Sequence, residues 1–259
     1  MISGPEIAAN LEQAECLIAQ AAAEGAFLVA LPEYFLMIGA SDEVRLAARE
    51  RLDDGPVQRF LSAAARHYGV WLVGGSLPLF GRDPAKMRNS CLVYDDSGQR
   101  VARYDKIHLF TLETDGESYD ESRTIEPGDK VVAVDSPLGR IGLAICYDLR
   151  FPELFRALGE VDLLVLPSAF TELTGRAHWE LLVRARAIEN QCYLLAPAQG
   201  GRHSTGRMTH GNSMIVDPWG EMLARLDKGA GVITADIDAA RIAEVRKSLP
   251  ALRHRSPGL

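Results

Sequence analysis

The sequence predicts a single α/β domain built as a four-layer α-β-β-α sandwich, and three features point to it. Strand-like apolar runs alternate with helical periodicity along the chain, the same order of elements occurs twice, and no linker or low-complexity segment separates the two halves. Each half should supply a sheet with helices on one face, so that the two bare sheet faces pack together. We therefore expect one domain over residues 1–259.

The first half contains five elements that the residue pattern identifies in order. Helical apolar spacing over residues 10–25 precedes a buried strand within residues 26–35. A helix over residues 56–69 and a strand over residues 70–78 follow. Residues 89–106 then predict a β-hairpin that turns at Asp-Ser-Gly.

The second half repeats this order. Its elements are a helix at 152–160, a strand at 161–170, a helix at 179–191, a strand at 192–200 and a hairpin at 212–228. The first helix opens with proline, which is well placed in a first turn. Both hairpins begin with Asn-Ser and end with Asp-Lys. The chain is therefore a weak internal duplication of a βαβ kind.

The duplication predicts a strand that the N-terminus does not contain. In the second half the strand at 139–148 precedes the first helix, whereas the first half opens with only MISGPE. We expect that Met1 is an internal start or a truncation, and that the first sheet lacks one strand. An unpaired sheet edge at that place would reduce solubility.

Composition narrows the class of protein. A net charge of -7 argues against a nucleic-acid partner. The sequence has no apolar run of the roughly 20 residues that span a bilayer, and no signal-peptide pattern, so we expect no membrane association. Four separated cysteines indicate reduced thiols in a cytoplasmic protein, and the Cys and His spacings predict no metal site.

Three reactive side chains follow predicted strands at their carboxyl ends: Glu33, Lys106 and Cys146. In layered α/β folds the loops at this edge converge on ligands. The duplication matches Glu33 with Ser168, so the fold itself does not require a carboxylate there, and it matches Lys106 with Lys228. A carboxylate after a buried run is costly unless it is paired or functional. We therefore predict one site that contains Glu33, Lys106 and Cys146.

These three groups suit nucleophilic acyl transfer. A cysteine thiolate is a nucleophile, a carboxylate can take its proton, and an ammonium group can stabilise a developing oxyanion. Cys146 also precedes a helix predicted to begin near Pro152, so local backbone amides should favour the thiolate.

The stretches LPEYF, YDKIHLF and CYDLRFPEL resemble the three signature motifs of the nitrilase superfamily of carbon–nitrogen hydrolases, and the similarity extends over nearly the whole chain. The resemblance implies a Glu-Lys-Cys triad that works without a metal or an organic cofactor. It makes Glu33 the general base, Lys106 the stabiliser of the oxyanion and Cys146 the nucleophile, with the backbone N–H of Tyr147 as a second oxyanion donor. Glu121 matches an additional glutamate of many members, which implies that it orients Lys106 and helps to position water.

The resemblance also implies a substrate class, namely a small-molecule amide. The loop at residues 198–214 is similar to the branch that hydrolyses deaminated glutathione, the α-keto analogue of the tripeptide. An ω-amidase acting on smaller α-keto acid amides, or a binding protein on the same fold, are the alternatives. The family also suggests a homodimer or a larger assembly of dimers. The candidate substrate contacts are Tyr147, Arg150, Phe170, Thr171, Arg202 and Arg207.

Overall fold

The computed structural model describes residues 1–114 and 118–256 and contains the two layers of sheet that the duplication predicts. The helices are α1 (Ile7–Ala23), α2 (Asp42–Ala47), α3 (Pro56–Tyr68), α4 (Pro152–Ala157), α5 (Glu172–Asn190) and α6 (Ala239–Ser248). The strands are β1 (Leu28–Ala30), β2 (Trp71–Val73), β3 (Leu77–Phe80), β4 (Met87–Tyr94), β5 (Arg100–Asp105), β6 (Thr111–Glu113), β7 (Ser118–Asp120), β8 (Ala133–Ser136), β9 (Gly139–Leu143), β10 (Leu163–Val165), β11 (Tyr193–Ala196), β12 (Gly200–Arg202), β13 (Met208–His210), β14 (Ser213–Val216) and β15 (Met222–Leu226). Short 3-10 turns occupy Glu121–Arg123, Cys146–Arg150 and Ala251–His254.

The two large sheets have related topologies. In the first sheet β1 pairs with β2 in parallel, and β4 pairs antiparallel with β2, β3 and β5. In the second sheet the order is β15-β14-β11-β10-β9-β8, with a parallel centre at β9, β10 and β11. Two small hairpins, β6–β7 and β12–β13, lie outside these sheets. The four-layer α-β-β-α sandwich predicted from the sequence is confirmed.

Side-chain alternation along the strands explains why the sheets pack face to face. Trp71 and Val73 of β2 belong to a buried apolar cluster that also contains residues of β9, β10 and β11. The intervening Leu72 belongs to a second cluster, with Ile18 of α1 and Leu61 of α3. Because alternate residues of a strand point to opposite faces, one face of the first sheet packs on the second sheet and the other on its helices.

Local sequence sets the helix ends. Pro56 opens α3, where its missing N–H has no cost, and Gly69 closes the helix at φ +62. The hydroxyl of Thr171 caps α5 by accepting from the backbone N–H of Thr174. This cap makes α5 begin seven residues before Trp179, where the periodicity alone places its start.

The strand predicted over residues 70–78 is interrupted. Strand β2 ends at Val73, and the chain turns through Gly75 at φ +58 before β3 begins. A Cβ atom at Gly75 would lie 2.3 Å from the carbonyl oxygen of Pro32. The turn is therefore packed against the loop that carries Glu33, and glycine allows the close approach.

The outer edge of β1 lies open. Within residues 1–6, which the structure describes, no strand forms, and the first sheet has five strands where the second has six. A groove of about 520 Å³ runs beside β1, between Leu28 and Ile237. In the second half the corresponding edge of β10 is covered by β9. The expected strand before Met1 stays a prediction.

In the described part of the chain, no helix has the length and apolar character needed to cross a membrane. All four cysteines are free thiols, and only Cys16 is exposed.

Candidate active site

The structure brings the three predicted reactive residues together at one edge of the sandwich. Glu33 lies just beyond β1, Lys106 directly after β5, and Cys146 just beyond β9. Lys106 Nζ lies 3.0 Å from Glu33 Oε1, and each of these two side chains is 1 % exposed. The thiol of Cys146 is hydrogen-bonded to Glu33. A carboxylate thus lies between the ammonium group and the sulfur.

Glu121 completes the charged cluster. Lys106 Nζ is 3.0 Å from its Oε1 and 2.8 Å from its Oε2. Glu121 also accepts from the hydroxyl of Tyr34 at 2.6 Å and from the backbone N–H of Phe110 at 2.8 Å. These four contacts fix the carboxylate, and Glu121 in turn fixes Lys106.

The nucleophile is held on a tight turn. Cys146 has φ +48, in the left-handed region, and opens the 3-10 turn that ends at Arg150. Its backbone N–H donates to the carbonyl of Pro167 at 2.9 Å, and the backbone N–H of Ala169 donates to its sulfur. Tyr147 is in the first turn of this short helix, where backbone N–H groups lack partners within the helix. A positive φ at a non-glycine residue is a strained conformation that is enriched at functional sites.

Burial and neighbouring charges shift the pKa values of Glu33, Glu121 and Lys106 in different directions. Burial raises the pKa of Glu33, against the opposing effect of Lys106. Burial acts in the same direction on Glu121, but the charge and hydrogen bond of Lys106, together with the hydrogen bonds from Phe110 and Tyr34, outweigh it and lower the pKa of that carboxyl. Burial alone would lower the pKa of Lys106, yet Glu121 and Glu33 raise it well above its ordinary value. Lys106 is therefore a permanent cation, Glu121 its permanent partner, and Glu33 the group poised to take up a proton.

The expected effect of local backbone amides on the Cys146 thiol is outweighed in the folded protein. Burial, followed by the negative charge of Glu33, raises the pKa of Cys146 well above its ordinary value. Helix α4 begins only at Pro152, so its N-terminus does not lie at the sulfur. The raised pKa favours the thiol form, and the adjacent carboxylate of Glu33 can accept the proton of the thiol.

A narrow cleft of about 20 Å³ opens above these groups. It is lined by Glu33, Tyr34, Lys106, Phe110, Glu121, Cys146, Tyr147, Arg150, Ala169, Phe170, Thr171, Thr174 and Arg207. The structure thus places five of the six candidate substrate contacts at the cleft. Arg202 is the exception, because its side chain is exposed on β12, at the position paired with Met208, and is not part of the lining.

Sequence reasoning missed residues that hold the site together. Asn89 donates to Glu33 Oε1 at 3.0 Å, and Tyr34 binds Glu121. The Asn-Ser pair that begins both hairpins could have drawn attention to Asn89. The two asparagines have different contacts, because Asn212 accepts from Arg225 and does not contact a carboxylate of the cluster. Tyr34 adjoins Glu33 in the sequence, but its contact with Glu121 requires the folded loop.

Asp148 is the other missed residue, and it links the two halves of the site. This fully buried carboxylate accepts from the hydroxyl of Tyr104 at 2.7 Å and from the backbone N–H of Ile145 at 2.8 Å. Its other oxygen contacts the backbone N–H of His108 at 3.0 Å and the Nδ1 of His108 at 2.8 Å. Tyr104 and His108 flank Lys106, and Ile145 precedes Cys146. Asp148 therefore fixes the lysine strand relative to the nucleophile turn.

Among the residues that the structure describes, no three His, Cys, Asp or Glu side chains are grouped so that they could hold a metal ion.

Comparison with known proteins places this geometry in a family. The model of the carbon-nitrogen hydrolase family matches residues 3–247. The deaminated glutathione amidase of Yersinia enterocolitica is 41% identical over 259 residues, which cover 98% of this chain and 90% of that protein. The human omega-amidase NIT2 is 38% identical over 254 residues, which cover 96% of this chain and 90% of that protein. The crystal structure of the C. elegans NitFhit protein superposes with a TM-score of 0.87 at 39% identity, and the match covers 98% of this chain and 63% of that one.

Proposed function

Because the chain belongs to the carbon–nitrogen hydrolase family, we propose that it is a cysteine-dependent amidase that hydrolyses deaminated glutathione to an α-keto dicarboxylate and Cys-Gly. The family and its amidase members make the protein an amidohydrolase. The observation that carries the mechanism is the buried cluster of Glu33, Lys106 and Glu121 with the thiol of Cys146 hydrogen-bonded to Glu33.

The first half of the reaction acylates the enzyme. Cys146 Sγ attacks the amide carbon while its proton moves to Glu33. The carbonyl oxygen becomes an oxyanion, which Lys106 and the backbone N–H of Tyr147 stabilise. Glu33 then gives the proton to the amide nitrogen, the C–N bond breaks, and the amine leaves behind a thioester. One oxyanion donor of this kind contributes roughly 3–4 kcal/mol to lowering such a barrier.

The second half releases the acid. Water attacks the thioester carbon, and Glu33 takes one water proton. The tetrahedral intermediate then collapses and expels the sulfur, which recovers its proton from Glu33 as the thiol. Glu121 holds Lys106 throughout and helps to position the water. Lys106 does not need to give up its proton, because two carboxylates keep it charged.

The substrate assignment has two supports. The deaminated glutathione amidases are somewhat more similar to this chain than the human omega-amidase, at 41% and 38% identity. Two arginines, Arg150 and Arg207, line the cleft and provide cationic contacts for an anionic substrate, while Phe170 and Thr171 form an adjoining wall. An ω-amidase that acts on small α-keto acid amides is the alternative.

A release assay separates these substrates. Purified enzyme is given the keto-tripeptide or α-ketoglutaramate, and Cys-Gly or ammonia is measured. We expect kcat/KM for the keto-tripeptide to be higher by at least roughly tenfold, about 1.4 kcal/mol. A higher value for α-ketoglutaramate would make the protein an ω-amidase, and no cleavage of either would leave only the family assignment. A binding protein on this fold would bind the keto-tripeptide without releasing Cys-Gly, whereas the amidase would release it.

We also propose a homodimer, or a larger assembly of dimers, in the cytoplasm. Leu181 and Ile188 of α5 are 70 % and 47 % exposed, and Trp219 in the β14–β15 turn is 55 % exposed. The four free thiols fit a reducing compartment. Light scattering should give twice the chain mass, and Leu181→Glu should reduce it to one chain if α5 forms the interface.

A further inference from the structure

Arg207 is a cleft arginine that pairs with no carboxylate in the described part of the chain. Its Nε is buried and has no hydrogen-bond partner, and no ion pair joins its guanidinium group to a carboxylate within residues 1–114 and 118–256. The guanidinium carbon lies 5.1 Å from the centre of the Tyr119 ring. A buried donor on a permanently charged group is costly unless a ligand satisfies it.

The loop between β12 and β13 holds Arg207 in this position. His203 is fully buried, with its Nδ1 2.7 Å from the carbonyl of Ser3 and its Nε2 2.8 Å from the hydroxyl of Thr209. The backbone N–H of His203 donates to the carbonyl of Arg207 at 2.9 Å, which closes the loop. Arg207 is therefore presented by an anchored turn, so that a ligand would not need to order it.

Arg207 and Arg150 lie at opposite ends of a row of aromatic rings. Arg207 stacks on Tyr119, the Tyr119 ring lies 5.7 Å from Phe110, and Phe110 lies 5.2 Å from Tyr147. At the other end, Arg150 lies 5.7 Å from the Tyr147 ring. Tyr147 adjoins the nucleophile in the sequence, so Arg150 is on the side of the reacting carbon and Arg207 is displaced from it along the row.

The carboxylates that line the cleft do not neutralise the two arginines. Glu33 and Glu121 surround Lys106, so neither carboxylate is available to the arginines. Arg150 has no carboxylate partner among the described residues either, and its polar contact is His178 Nδ1 at 3.3 Å. The cleft thus offers two uncompensated guanidinium groups, one near the reacting carbon and one farther along.

We propose that Arg207 binds a carboxylate on the leaving amine, and that the enzyme is selective for N-substituted amides whose amine part ends in a carboxylate. The inference rests on the proposed function and deepens it. Arg150 faces the α-keto carboxylate of the acyl part, while Arg207 forms a bidentate pair with the terminal carboxylate of a dipeptide amine. A primary amide, which releases ammonia, cannot make the second contact.

The test compares two ligands that differ only in the distal charge. One is the keto-tripeptide and the other is its C-terminal carboxamide, and both are titrated calorimetrically into Cys146→Ala protein, which has no nucleophile and therefore binds without turnover. We expect the carboxylate form to bind at least about tenfold more tightly, and Arg207→Ala to reduce this ratio to below about threefold. Arg207→Lys should give an intermediate ratio, because an ammonium group cannot form the bidentate pair.

Arg202→Ala is the matched control, since Arg202 is in the same hairpin but exposed and outside the cleft. It should leave the ratio unchanged. Equal affinities for the two ligands, or a ratio that persists in folded Arg207→Ala protein, would overturn the inference. If Arg207→Ala does not fold, Arg207→Lys decides. Absence of cleavage by the unmodified enzyme would instead reject the proposed function, while the titration would still decide the role of Arg207.

Discussion

Replacing Tyr104 by Phe should slow the chemistry of Cys146 while leaving the fold intact, because the hydroxyl of Tyr104 links the lysine strand to the nucleophile turn. The hydroxyl donates to Asp148 at 2.7 Å and lies 3.3 Å from the backbone N–H of Ile107, the residue after Lys106. Its removal leaves Asp148 with three of its four contacts.

The size of the effect follows from these contacts. A hydrogen bond to a charged group contributes about 1.5–3 kcal/mol. In a chain of this size 1 kcal/mol corresponds to about 2–4 °C in Tm, so Tyr104→Phe should unfold about 3–12 °C lower. Lys106 and Cys146 should also lose their fixed separation. A displacement of about 1 Å at a reacting centre can reduce the rate by roughly 100-fold, and we expect kcat to fall by about tenfold with little change in KM.

Asp148→Asn should be more severe. An ionised carboxylate only accepts hydrogen bonds, and every group around Asp148 donates to it. An asparagine would turn an NH₂ group toward two of these donors and lose about two charge-assisted bonds, roughly 3–6 kcal/mol. This is comparable to the whole stability of many domains, so the variant should be poorly folded.

The assay measures kcat, KM and the rate of alkylation of Cys146 by iodoacetamide, at least about 20 °C below the Tm of each variant. Tyr94→Phe is the matched control, because Tyr94 is a buried tyrosine of the same sheet that faces the helices of the first half. Its kcat and alkylation rate should be unchanged. A Tyr104→Phe protein with a lower Tm but normal kcat and alkylation would show that Asp148 supports only the fold.

Further predictions concern the catalytic cluster. Cys146→Ser should reduce turnover below about a tenth with little change in Tm, as measured by the release assay and by thermal unfolding. Glu33→Gln and Lys106→Ala should each remove most of kcat, and their double variant should lose far less than the sum, since the residues act as a unit. Lys228→Ala, at the matched place in the second half, should keep kcat nearly unchanged. As the pH is lowered, kcat/KM should begin to fall at a pH above the ordinary pKa of a glutamate. The reason is that activity requires ionised Glu33, and burial raises the pKa of Glu33. Glu121→Gln should move this fall in kcat/KM to lower pH, because the charge of Glu121 raises the pKa of Glu33. An unchanged pH profile would contradict the assignment of Glu33 as the group that must be ionised.

The sequence was sufficient for the large elements and for the triad. Helix α3 and the hairpin of β4 and β5 lie where periodicity and turn residues place them. Glu33, Lys106 and Cys146 could be grouped without coordinates because each follows a strand, and strand ends at one edge of a layered fold converge.

Contacts made across the fold could not be predicted. Arg202 and Arg207 are five residues apart in one hairpin, and which of them reaches the cleft depends on the turn that His203 anchors. The raised pKa of the Cys146 thiol could not be predicted either, because it depends on the burial of the sulfur in the folded protein. Asp148 follows the nucleophile closely, yet its partner Tyr104 comes from the other half of the chain.

Glu33 and Glu121 have different roles, which explains why the buried Lys106 has two carboxylate neighbours. Without Glu121, the attraction of Lys106 would stabilise the ionised form of Glu33, and Glu33 would then be a weaker base. Burial raises the pKa of Glu33, and the charge of Glu121 adds a smaller effect in the same direction, while Glu121 itself keeps a lowered pKa beside Lys106. When Cys146 attacks, its proton moves to Glu33 and the negative charge moves to the oxyanion beside Lys106. The total charge of the buried cluster and its substrate is then unchanged, so the step avoids the cost of creating a new charge in a low-dielectric site.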